Sequence, residues 1–411
     1  MPKQKLLIIG KVWPEPDSSA AGQRMLQIID AFLEAGYQIT FVSSASKSSY
    51  SADLKSLGID EAEIELNSKS FDDFVADLNP GLVMFDRFMT EEQFGWRVAE
   101  QCPDAIRILD TEDLHCLRLA RQKAVKQKKE LTIDDLYSDT AYREIASICR
   151  CDLSLIISNI ELELLRDIFG LDVNLLLYLP FMFEELSDEE IAKWPKFSDR
   201  RHFMTIGNFL HEPNRDSTFW IRNEIWPLIR KELPDAEMHL YGAYPSKEIE
   251  QLHKPEEGFM VKGRAKSSAE VIRSARVLLS PLRFGAGLKG KLAEAMQYGT
   301  PSITTSIGAE GMAKSKDWPG FVADVPEQIA AKAIELYTEI ELWQNAQKKG
   351  VKIINNNFSD EPLKTKLLGR VGNILQTPDE HRRKNFIGQM LMHHTMASTK
   401  FMGKWIEAKN G

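Results

Sequence analysis

The sequence predicts an α/β protein built from two doubly wound domains that face each other across a cleft. Three observations carry this. Short apolar runs alternate with helix-period segments along the first 190 residues. The same alternation restarts near residue 200, after the charged, proline-broken stretch EELSDEEIAKWPKFSDRR. And 411 residues are too many for one ordinary core, so two domains are expected.

The first run, KLLIIG at 5–10, ends in glycine and leads into a loop with two prolines, KVWPEPDSSAA. Then Met25, Leu26, Ile28, Ile29, Phe32 and Leu33 recur three and four apart, as on one helix face, and Gly36 suits the stop. YQITFVSSA reads as the next strand, so the opening is a β-α-β unit with parallel pairing. GLVMFD at 81–86, AIRILD at 105–110 and LSLIIS at 153–158 are further strands, with helical segments between them. Residues 1–190 are assigned to this domain.

The second domain, 200–375, opens with the strand HFMTIG and a helix entered at Pro213-Asn214. AEMHLYG, GFMVKGR, RVLLSPLR, PSITT and GFVAD follow as strands. The remainder, 376–411, is an amphipathic tail with no strand of its own. It is expected to pack back on the domains, with Phe386, Ile387, Met390, Leu391, Phe401 and Trp405 as the contact residues.

The stretch PLRFGAGLKGKLAEAMQYGTPSITTSIGAEGM, 281–312, joins a strand end to a helix start. Glycines there let backbone amides approach a ligand, a helix N-terminus favours an anion, and Lys289 and Lys291 add positive charge. A solvated loop could carry the same residues. The spacing is neither the phosphate loop ending in Gly-Lys-Ser/Thr nor G-x-G-x-x-G. Its place at a strand's carboxyl end favours a diphosphate.

This stretch resembles the donor-site signature of the group 1, or family 4, glycosyltransferases: P-x-R-x-G-x-G-x-K-x-K-x-x-E-A-M-x-x-G-x-P, then a Thr-rich strand and G-x-E-G. TIGNFLHEPNRDSTFWIRNEIWP resembles the opening of that family's C-terminal domain, and WPEPDSSAAGQRMLQIIDAFLEAGYQITFVS its N-terminal loop and first helix. The resemblance implies the GT-B fold: two Rossmann-like domains, an acceptor side followed by a donor side, and a C-terminal helical tail. It implies transfer of a sugar from a nucleotide-diphospho-sugar, with retention at the anomeric carbon and no metal or other cofactor. By position, Glu294 would hold the ribose hydroxyls, and Lys291 and Lys289 would contact the diphosphate. Arg283, Gly287 and Gly290 would shape the loop, and Gly308, Glu310 and Gly311 would close round the donor. Gly207 and Asn208 fall at the opening of the donor domain. Ala21-Gly22 takes the place of the family's glycine pair, and Ala286 stands where the first of its two glutamates is expected. Rival readings are a sugar-nucleotide epimerase or phosphorylase on the same fold, or a non-catalytic nucleotide-sugar-binding protein.

RILDTEDLHCLR sets Glu112, Asp113 and His115 just past a strand, where acceptor groups or a catalytic histidine would line the cleft. A capping Asp113 and a packed His115 are the structural alternative. Asp86-Arg87 sits at a similar strand end and reads as a salt bridge. Net charge −8 argues against nucleic acid as partner. The acceptor is expected to be a glycan, a lipid-linked molecule or another hydroxyl compound. Four cysteines are too few for a disulfide framework, and Cys149-Arg-Cys151 reads as helix passing into a buried strand rather than a zinc site. No apolar run spans a bilayer, and the N-terminal run is too short for a signal peptide. The expected location is cytoplasmic, with the basic run RQKAVKQKK, 121–129, as candidate contact with the inner face of a membrane.

Overall fold

A computed structural model describes residues 4–410, without the side chains of 394–397 and 410. In the N-terminal domain β1 (Lys5–Gly10), β2 (Gln38–Ser43), β3 (Asp60–Glu63), β4 (Leu82–Asp86), β5 (Ile106–Asp110), β6 (Leu153–Ile156) and β7 (Leu176–Tyr178) form one parallel sheet in the order β3-β2-β1-β4-β5-β6-β7. The central strands are buried on both faces, which is why they read as continuous apolar runs. Cys149 and Cys151 pack in this domain's core.

The C-terminal domain repeats the plan with β8 (Arg201–Ile206), β9 (Met238–Tyr241), β10 (Phe259–Gly263), β11 (Ala275–Ser280), β12 (Ser302–Thr304) and β13 (Gly320–Val322), in the order β10-β9-β8-β11-β12-β13. Strand order reverses between β1 and β4 in one sheet and between β8 and β11 in the other. Crevices outside the carboxyl ends of such strands are where ligands bind in open α/β sheets. Here the two crevices face each other.

The return crossing comes earlier than the sequence predicts. Phe183 N donates to Phe358 O at 2.7 Å and Asp360 N to Phe183 O at 2.9 Å, so the outgoing and returning strands of chain run side by side. From there the helix Asp360–Gln376 packs on the N-terminal domain, with Leu367, Val371 and Ile374 in one core with Leu6, Ile8 and Phe32. Lys364 fixes it by pairing with Glu34 at 2.9 Å and Asp30 at 3.2 Å. Apolar spacing alone does not say which domain a helix joins. The contact therefore belongs to 360–376 as well as to the tail.

The tail helices Pro378–Lys384 and Phe386–Asn410 also lie on the N-terminal domain, held by polar ties more than by the expected side chains. Arg382 donates twice to the buried Asp152 at 2.9 Å and once to Ala105 O at 2.7 Å. Of the six predicted contact residues only Leu391 packs against the core; Phe386, Ile387, Met390, Phe401 and Trp405 are exposed.

Candidate active site

Two helix N-termini meet in the cleft. The helix Ala20–Glu34 begins at its cap Ser19, whose hydroxyl accepts from Gly22 N at 3.0 Å. The helix Gly290–Gln297 begins after Lys289 and has no side-chain cap. They abut so closely that a Cβ on Gly290 would lie 2.4 Å from the Ala20 Cβ, so only glycine fits there. Both macrodipoles thus direct positive ends at one cleft of about 520 Å³.

Lys289 and Lys291 add full charges at that point. Lys291 Nζ donates to Asn214 Oδ1 at 2.7 Å, and burial pulls its pKa down to about 7 against the opposing charge of Glu294. Gly207 makes room for this contact, since a Cβ there would stand 2.8 Å from Lys291 Nζ. Asn214 is in turn held by Asn208 O at 2.9 Å. Lys289 is buried, donates to Gly287 O at 2.7 Å, and is brought down to about 8 by burial. One helical turn on from Lys291, Glu294 Oε1 accepts from Ser268 Oγ at 3.0 Å, and burial lifts its carboxyl to about 7. Cations with lowered pKa values and a carboxyl with a raised one mark a site prepared for a charged ligand.

The N-terminal wall comes from the ends of β4 and β5. Arg87 and Glu112 both take left-handed backbone, at φ 70° and 61°, and both line the cleft. Such strain in non-glycine residues is concentrated at functional sites. Burial, with the neighbouring Asp110, lifts Glu112 to about 8. Burial opposes the Asp113 carboxylate, but Arg118 at 2.7 Å and His115 at 3.4 Å outweigh it and hold the group near 2. His115 is kept neutral, its pKa brought down to about 4 by burial. Glu144, not Asp113, caps this helix, accepting from His115 N and Cys116 N at 2.7 Å each.

The glycine-lysine loop is also tied to the opposite domain. Buried Glu161 Oε1 accepts from Leu114 N at 3.0 Å and from Gly287 N at 2.7 Å, joining the two domains through one oxygen. Arg121 reaches across to Glu310 with two bonds of 2.7 Å and to Gly285 O at 2.8 Å.

Residues 200–339 match the model of the family described as glycosyl transferases group 1. That match spans about a third of the chain. A protein of the cps region of Klebsiella pneumoniae, known only as an uncharacterized 44.6 kDa protein, is 27% identical over 127 residues, which are 29% of this chain and 33% of that protein's length. Most of the chain is similar in fold to solved GT-B structures. A glycosyltransferase from Rickettsia africae has a TM-score of 0.67 at 12% identity, over 92% of this chain and 100% of that one. Sucrose-phosphate synthase from Thermosynechococcus elongatus has 0.67 at 14%, over 92% and 100%. HepE from Anabaena, solved in complex with UDP and glucose, has 0.67 at 10%, over 89% and 99%. The fold is GT-B.

Within the matched region the structure brings Gly207, Asn208, Gly287, Lys289, Gly290, Lys291 and Glu294 to one cleft, with Glu112, Asp113 and His115 opposite. Three sequence expectations need correction. Arg283 turns outward and forms a two-bond pair with Asp216, at 2.8 and 2.5 Å. Gly22 lies behind the cleft wall, where the Glu15 backbone comes within 2.5 Å of a would-be Cβ. Gly308, Glu310 and Gly311 close on protein rather than on the cleft: Gly308 against Thr304, Gly311 against Ser158 and Glu310 on Arg121. In the run 121–129, Arg121 is spent on that pair and Lys129 on Asp135. Sequence reasoning missed Asn214, Ser268, Arg121 and Glu161. Arg121 stood in plain view within the basic run. Glu161 gave no signal, because a lone Glu in an amphipathic helix reads as solvent-exposed.

Proposed function

We propose that the protein transfers a sugar from a nucleotide-diphospho-sugar to an acceptor hydroxyl. The observation that carries the reading is the pair of abutting helix N-termini with Lys289 and Lys291 between them. Breaking the anomeric C–O bond leaves negative charge on the departing diphosphate, and preorganised amides and ammonium groups stabilise that charge where it develops. Lys291, oriented by Asn214, meets the diphosphate; Lys289, held by Gly287 O, adds charge beneath the loop. Glu294, one turn further on, accepts from the ribose hydroxyls. The chemistry of this set supports metal-independent transfer, and the family resemblance supports retention.

The acceptor enters against Glu112, Asp113 and His115. Glu112, held in strained backbone and at a pKa of about 8, is mostly protonated at neutral pH and is placed to orient the acceptor hydroxyl by a hydrogen bond. Neutral His115, fixed by Asp113 and by the edge of the Phe88 ring, bonds a sugar hydroxyl. The acceptor is a glycan or lipid-linked hydroxyl compound. We place the protein in the cytoplasm; Lys123, Lys126 and Lys128 of the basic run are exposed.

Ala286 at the position of the family's first glutamate favours one second reading, a nucleotide-sugar binder without turnover. Incubation with UDP-glucose and acceptor extracts separates the two. Release of free nucleotide with a new glycoside supports transfer, whereas saturable binding with no release supports the binder.

A further inference from the structure

The tail helix Phe386–Asn410 inverts the usual packing rule. It meets the N-terminal domain through glycines: a Cβ on Gly388 would stand 2.0 Å from Cys149 O, and one on Gly403 3.2 Å from Trp96. Polar ties complete that face, with Lys400 on Glu100 at 3.0 Å and Glu407 paired to Arg97. Leu391 packs on the core, but most of the aromatic and long aliphatic side chains point the other way. Phe386 is 73% exposed, Phe401 68% and Trp405 59%, and Ile387, Met390 and Met402 are exposed with them. At 3.6 residues per turn, positions 386, 390, 401 and 405 fall within about 100° of arc. Single exposed apolar residues are ordinary, but a row of them along one helix marks an interaction surface.

Charge identifies the partner. On the helix itself Lys400 is spent on Glu100 and Glu407 on Arg97, which leaves the exposed Lys404 and Lys409 as its outward charges, in a chain whose net charge is −8. Lys409 sits 5.2 Å from the Trp405 ring. An apolar stripe bordered by lysines, on a helix lying flat against its own domain, is the pattern of a helix that rests in a bilayer interface. Two copies of such a basic face would repel each other in an isologous pair, and a nucleic acid would have no use for the stripe. We propose that the outward face of Phe386–Asn410 is a docking surface for a bilayer with anionic headgroups.

The surface lies away from the cleft. Lys400 and Gly403 meet Glu100 and Trp96 toward the end of the helix Phe88–Gln101, whose first turn carries the cleft residue Met89. Docking therefore leaves the cleft open and does not depend on the transferase reading. The test is flotation of the full chain with phosphatidylcholine vesicles, with and without about a third phosphatidylglycerol. The expected result is binding to the anionic vesicles only, falling about tenfold or more in the double variant Phe401→Ser/Trp405→Ser and in Lys404→Glu/Lys409→Glu. The triple variant Lys123→Glu/Lys126→Glu/Lys128→Glu should bind as the parent does. Unchanged melting temperatures, expected for exposed positions, show that each variant is folded. Three results overturn the proposal: no binding to either vesicle, loss of binding only in the triple variant, or a concentration-dependent dimer in sedimentation velocity that Phe401→Ser/Trp405→Ser abolishes.

Discussion

Lys291 and Glu294 should together give donor binding a bell-shaped pH profile centred near 7. The competent form needs Lys291 protonated, to meet the diphosphate, and Glu294 ionised, to accept from ribose hydroxyls. Both groups titrate at about 7 in the donor-free protein, one lowered and one raised by burial. Below that pH Glu294 takes a proton, and above it Lys291 loses one. Affinity should therefore fall about tenfold per pH unit on each limb, one proton being at stake on each side. An intact nucleotide-sugar such as UDP-glucose is the right ligand, because its diphosphate diester does not itself titrate between about pH 5 and 9. Calorimetric titration across that range measures the profile. Glu294→Gln should weaken binding and erase the acid limb. Lys291→Arg should remove the alkaline limb, because a guanidinium stays charged throughout. Lys291→Ala should lower kcat by about 10²–10³, as losing one such stabiliser does. A flat profile, or an acid limb that survives in Glu294→Gln, refutes the assignment of these two residues.

The same shifts bear on stability. Glu294 has a folded pKa above its unfolded one, so its contribution is present below about 4.5 and is lost as pH rises through about 7. Glu294→Gln should therefore melt higher than the parent at pH 8, by on the order of 1 kcal/mol once solvent in the open cleft is allowed for. Chelation with EDTA should leave turnover unchanged; loss restored by magnesium or manganese would contradict the metal-free account. Arg121→Ala removes the contact with Glu310 and Gly285, so kcat should drop about tenfold and the radius of gyration in solution scattering should rise, with melting little changed. Truncation after Asp379 takes Arg382 from the buried Asp152 and should cost about 3 kcal/mol or more, read as a lower melting temperature.

Much of this architecture is legible in the residues because buried parallel strands are short apolar runs. β1, β4, β5, β8 and β11 all read directly from their sequences. β3, with the sequence DEAE, did not, because an edge strand half open to water keeps no apolar pattern. The loop at 281–291 is readable for a different reason: glycine and lysine at a helix start have few uses. What closes around it was not readable. The partners of Gly287 and Glu310 are Glu161 and Arg121, 126 and 189 residues away in the chain, and only tertiary structure sets such distances. The tail was misread because amphipathic periodicity reports that a helix has an apolar face, not which way that face turns.

The most direct test of glycosyl transfer is a proton NMR time course of the protein with UDP-glucose and candidate acceptors, following the anomeric signal with EDTA present. The account predicts free nucleoside diphosphate and a new glycoside with the donor's anomeric configuration, both abolished or slowed at least a hundredfold or so in Lys291→Ala. Conversion of UDP-glucose into another nucleotide-sugar, with no diphosphate released, would contradict it.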